Sequence, residues 1–87
     1  MVSVRMPDCL SAARAEALFT SDLSAGAVLS RAQVTEAIQH AVRTHGGVRG
    51  CAAEVAAAYG EHPETAAPRM RWALAVVFTA YVAPRQF

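Results

Sequence analysis

Lysine is absent from this chain, and all eight of its basic residues are arginine. We read this first as a codon bias toward GC-rich triplets. Arginine also binds phosphate and guanine in a two-pronged way that lysine cannot. Opposite charges nearly cancel, leaving a formal net charge of +1. A monomer with so little charge has no generally basic surface, so any affinity for nucleic acid depends on how the arginines are distributed. Two cysteines, Cys9 and Cys51, are too few for a disulfide framework. Reduced thiols and a cytoplasmic setting are expected. The N-terminus lacks the charged-then-apolar pattern of a signal peptide. The longest apolar run, Trp72 to Ala83, has 12 residues, short of the roughly 20 that a membrane-spanning helix needs. No segment alternates in the manner of a strand.

Catalytic and metal-binding signatures are missing too. No nucleophile elbow, phosphate loop or paired-acid motif is present, so an enzyme is not expected. His40, His45 and His62 have no cysteine or carboxylate at a recognised ligand spacing, so neither a metal site nor any other cofactor is expected.

What is present is alanine and helical periodicity. Hydrophobic residues make up 54% of the 87 residues, while aromatics make up only 7%. Alanine is the best helix former. The expected fold is all-α, a single four-helix domain behind an N-terminal arm, residues 1–6. Asp8 is a good N-cap for a first helix ending near Leu23. Its apolar stripe is Leu10, Ala13, Ala17 and Leu18. Ser24 to Leu29 reads as a loop. Ser30 and Gln33 form a capping-box pattern. Val34, Ala37, Ile38, Ala41 and Val42 then repeat at helical spacing, and Gly46-Gly47 ends that helix. Val48 to Tyr59 is the third helix, with Ala52, Val55, Ala56 and Tyr59 inward, and Cys51 as a small buried residue. Gly60 is expected to be left-handed and to end it. Thr65 is the expected N-cap of a last helix that starts at Ala66, excludes Pro63 and continues to about Ala83.

The segment from Cys51 to Leu74 has the layout of a helix-turn-helix, extending to about residue 82. An Ala permits close helix crossing, a Gly makes the turn, and Arg69 and Arg71 lie near the start of the second helix. Glu54 to Gly60 resembles the first helix and turn of that motif. Thr65, Arg69, Met70 and Ala73 fall where region 4 of bacterial sigma factors has its Thr cap, an Arg, an apolar core residue and an Ala. The chain as a whole resembles small actinobacterial regulators. The resemblance implies a transcriptional regulator that binds double-stranded DNA. Arg69, Arg71 and Thr65 would then meet the groove or its phosphates, with Arg43, His45 and Arg49 flanking the backbone. The chain departs from the pattern in four ways. The turn lacks the usual apolar residue, and Ala66 and Ala67 are small where Val or Ile is usual. Pro68 is unusual in a recognition helix, although it falls at the third position, where a missing N–H is no loss. Glu61 and Glu64 stand where phosphates would approach. A helical adaptor that binds another protein, such as part of the transcription machinery, is the alternative.

The last helix is apolar all round. Met70, Leu74, Val77 and Tyr81 form one stripe, with Trp72, Val76 and Phe78 on other sides. Such a helix must be buried on every side. A second copy of the chain would cover it through a two-fold interface containing Trp72, Val76, Phe78 and Tyr81. The other possibility is that this helix is the core around which the other three wrap.

Overall fold

The computed structural model describes residues 8–82, with the Val82 side chain left aside. The expected N-terminal arm and the extension of the last helix to Ala83 lie outside the described residues. Four α-helices follow one another with no strand among the described residues: α1 Cys9–Phe19, α2 Arg31–Thr44, α3 Val48–Glu61 and α4 Pro63–Val77. A π-helical turn, Phe78–Val82, continues α4. No helix among the described residues is long and apolar enough to cross a membrane.

The start of α1 follows from Asp8, whose side chain accepts from the Ser11 N–H at 2.7 Å. That bond is the main reason the Asp8 carboxyl is held below its ordinary pKa. The helix stops at Phe19, four residues before the expected end near Leu23. Two hydroxyls end it by competing for backbone carbonyls. Thr20 donates to the Ala17 carbonyl at 2.8 Å, and Ser21 to the Leu18 carbonyl at 2.6 Å.

Helix α2 begins with the expected capping box. The Gln33 N–H donates to the Ser30 hydroxyl at 3.1 Å, and the Ser30 N–H to the Gln33 side chain at 2.8 Å. Gly46 and Gly47 take φ values of 76° and 106°. A side chain is strained there, and the chain turns at once into α3. Gly50 is required for a different reason: a Cβ on it would run into the His45 carbonyl.

The turn after α3 differs from the expected one. Gly60 has no positive φ and lies within the helix. His62 alone separates α3 from α4. Its N–H closes α3 on the Ala58 carbonyl at 2.7 Å, and its own carbonyl accepts from the Thr65 and Ala66 N–H groups. Thr65 is therefore inside α4 and is not its cap; its hydroxyl donates to the His62 carbonyl at 3.2 Å. Pro63 is the first residue of α4, where a missing N–H costs nothing. Pro68 falls deeper than expected, inside the helix, but on an exposed side where water can reach the carbonyl it leaves unbonded.

Helix α1 is the hub, packing against α2, α3 and α4. Leu18 is completely buried, in a core with Ala15, Phe19, Val34, Val55, Ala66, Ala73 and Val77. A smaller cluster joins Ala17, Ala41 and Cys51, so Cys51 is buried as expected. The inner stripe of α3 is Cys51, Val55 and Ala58; Ala56 and Tyr59 are exposed, against expectation. Leu10 of the expected α1 stripe is exposed as well. The hub is α1 and not α4, contrary to the second of the two expectations for the last helix. The chain itself buries Ala66, Ala73 and Val77 and half-covers Met70, Trp72, Leu74, Val76 and Tyr81.

Candidate functional site

Arg69 and Arg71 lie two positions apart on α4, about 200° around a helix, so they leave it on opposite sides. Arg71 is exposed. Arg69 turns inward onto the end of α1, where helix geometry leaves carbonyls without partners. Its Nε donates to the Phe19 carbonyl at 2.7 Å, and one Nη to those of Ser21 and Leu23 at 3.0 and 3.1 Å. The guanidinium also lies 4.6 Å from the Trp72 ring centroid and 5.9 Å from that of Phe19. Burial draws its pKa down from the ordinary value, though an arginine remains charged at neutral pH. Arg69 is thus an outside cap for α1 and a lid on Trp72. The periodicity of α4 could not show this, because the carbonyls it meets lie 46 to 50 positions away.

The other expected DNA contacts are dispersed. Arg43 and Arg49 are exposed and His45 half-buried around the α2–α3 corner. Thr65 is exposed in the first turn of α4, beside Glu64. The 14 residues of α3 separate the two ends, a distance of about 20 Å at the rise of an α-helix. Glu61 and Glu64 are exposed at the α3–α4 turn, with the Glu64 carboxylate 3.9 Å from His62.

The four expected dimer residues separate in the same way. Trp72 is half-buried under Arg69. Tyr81 is held by its own chain: its hydroxyl shares a hydrogen bond with that of Thr35. Arg14 and Arg31 lie 3.8 and 5.0 Å from its ring centroid. Val76 is half-buried, and Phe78 is 53% exposed.

Val76 and Tyr81 do share a surface, an open groove between the loop before α2 and the end of α4. Val28, Leu29, Val34, Val76 and Ala80 give it apolar lining, and Arg31 and Tyr81 line it as well. Val28 is 98% exposed. No group of three or more His, Cys, Asp or Glu side chains is placed to hold a metal among the described residues.

Comparison with known proteins gives no match. No family model, no curated protein and no solved structure resembles this chain closely enough to be matched. The groove and the arginine clusters are therefore read on their own chemistry.

Proposed function

We propose that this protein is a small helical adaptor that binds another protein chain in the groove between the loop before α2 and the end of α4. The observation that carries the reading is apolar surface left open at one place. Val28 stands almost fully exposed in a groove that Val34, Val76 and Ala80 also line, and Phe78, two residues after Val76, is half-exposed. Contiguous apolar surface of this kind marks interaction sites more often than isolated exposed residues do. The competing DNA reading loses its first contact, because the Arg69 guanidinium is engaged by three carbonyls. Glu61 at the end of α3 and Glu64 at the start of α4 would also repel a phosphate backbone.

One observation favours DNA as a second reading. Arg43, Arg49 and Arg71 are exposed, and no carboxylate lies within 4.0 Å of them among the described residues. A DNA-binding regulator would use these three, as a two-fold homodimer joined through Phe78.

The test sets the two readings side by side. Immobilised protein is used to select from a displayed random-peptide library and, separately, from random-sequence duplex DNA at low and moderate salt. The adaptor reading expects enriched peptides that the Val28→Asp variant no longer holds, and no selected DNA sequence. Selected, salt-sensitive DNA binding that survives Val28→Asp, with no peptide enriched, would replace it with the regulator.

A further inference from the structure

We infer that the segment received by this groove is acidic: it carries Asp or Glu within a residue or two of a large apolar side chain. The inference rests on the adaptor reading and names its partner's chemistry. Its basis is the pair of arginines on the Tyr81 ring, where Arg31 and Tyr81 line the groove and Arg14 adjoins it through that ring. Arg14 from α1 and Arg31 from α2 both reach the ring of Tyr81, at 3.8 and 5.0 Å from its centroid. The ring is fixed by the hydroxyl bond between Tyr81 and Thr35. Among the described residues neither guanidinium has an ion pair within 4.0 Å or an oxygen acceptor; the Asp8 carboxylate acts on Arg14 only at longer range. The face of one aromatic ring attracts both cations, but the two cations repel each other. An anion arriving between or beside them would remove that repulsion, and each guanidinium presents five donors in a planar fork suited to a carboxylate.

The surroundings favour a peptide over a free anion. Arg31 is the first residue of α2, so the positive end of that helix faces the same region. The capping box already uses the N–H groups of Ser30 and Gln33. The charge must then be received by the guanidinium side chains, with Val34, Val76 and Ala80 beside them to take an apolar neighbour. Such a pairing lets apolar burial give affinity while the arginines choose the sign of the flanking residue.

The composition of the selected peptides tests this separately from the adaptor reading. Wild-type protein should enrich peptides with Asp or Glu next to Leu, Phe, Trp or Met. A representative enriched peptide should bind at least tenfold more weakly when its acids become Asn or Gln. The Arg14→Gln, Arg31→Gln double variant should bind both forms alike, and Arg14→Lys, Arg31→Lys should keep part of the preference. Circular dichroism melting confirms that each variant is folded, and the Lys pair keeps the comparison usable should the Gln pair melt early. Apolar peptides enriched without acidic bias, and unaffected by the Gln pair, would overturn the acidic assignment and leave the adaptor standing. No enrichment at all would remove both. Sedimentation of the wild type as a dimer that Val28→Asp dissociates would show a second copy in the groove and overturn the assignment as well.

Discussion

Arginine lies on aromatic rings at both ends of α4, and the two arrangements differ in what else the cation meets. Nearer the start, Arg69 covers Trp72 and also donates to the Phe19 carbonyl at the end of α1 and to those of Ser21 and Leu23 just after it. Near the end, Arg14 and Arg31 lie on Tyr81 with no oxygen acceptor among the described residues. The first cluster is internally complete and joins α4 to the hub helix. The second is complete only on its aromatic side. Composition alone cannot separate the two, since both read as arginine beside an aromatic. The difference lies in whether another element of the fold supplies acceptors.

The comparison predicts its largest effect at Arg69. Replacing it with Ala leaves the Phe19, Ser21 and Leu23 carbonyls without a donor and uncovers Trp72. Bonds to charged donors contribute more than neutral ones, and the half-buried site increases the loss, so Arg69→Ala should cost about 3 kcal/mol. Arg69→Lys should recover only part of it, because one ammonium cannot span three carbonyls. Urea unfolding measures both. An Arg69→Ala effect no larger than that of a surface residue would show that α1 holds its end without this cap.

The next largest is at Gly50. A Cβ there meets the His45 backbone carbonyl, which no rotamer change can move. Gly50→Ala must shift the α2–α3 corner and should destabilise by about 2 kcal/mol. Thermal melts would show it, and an unchanged melting temperature would mean that the corner relaxes freely.

Elements whose signals are local were legible in the sequence. The Ser30–Gln33 capping box, the Gly46-Gly47 stop, the Asp8 cap and the burial of Cys51 each depend on neighbours within a few residues or on one helical face. The misread elements depend on something further away or on two local rules in competition. Gly60 looked like a helix stop, but Pro63 fits the first position of a helix and His62 makes the turn by itself. The end of α1 falls short of Leu23 because Thr20 and Ser21 turn their hydroxyls onto the backbone carbonyls of its last turn. The inward direction of Arg69 and the gathering of Arg14, Arg31, Thr35 and Tyr81 are tertiary facts, joining residues from α1, α2 and the turn after α4. In alanine-rich helices such as these, many small residues mark no single buried face.

At the open cluster the expected stability change is smaller. Arg14→Gln with Arg31→Gln removes two cation–ring contacts, each worth about 0.5–1 kcal/mol at an exposed site, and also removes the repulsion between the cations. The net cost should be about 1 kcal/mol or less. A loss as large as that of Arg69→Ala would place these arginines in the same structural role and erase the contrast.

Gly60 offers a change of opposite sign. It sits in the last turn of α3 with helical backbone, and an added Cβ meets nothing within 4 Å. Gly60→Ala should stabilise by about 0.5 kcal/mol, through helix propensity alone. A destabilised Ala variant would indicate that the chain needs glycine freedom at the turn after all.

The smallest effect is expected at Arg71, and it separates the two readings of α4 most cleanly. Arg71 is on the same helix as Arg69, two residues on, exposed, and without a carboxylate within 4.0 Å among the described residues. Arg71→Gln keeps helix propensity and removes one solvated charge, so unfolding free energy should change by no more than about 0.5 kcal/mol. Peptide binding in the groove should also be unaffected, since Arg71 is not among the residues that line it. If α4 instead reads DNA, this is the arginine on that stretch left free to do so, and Arg71→Gln should weaken duplex binding at every salt concentration. A phosphate contact would lower the salt slope by about 0.9, whereas a base contact would relax sequence preference. Equal folding stability with weaker DNA binding would therefore move the function of α4 from the end nearest Tyr81 to the side opposite Arg69.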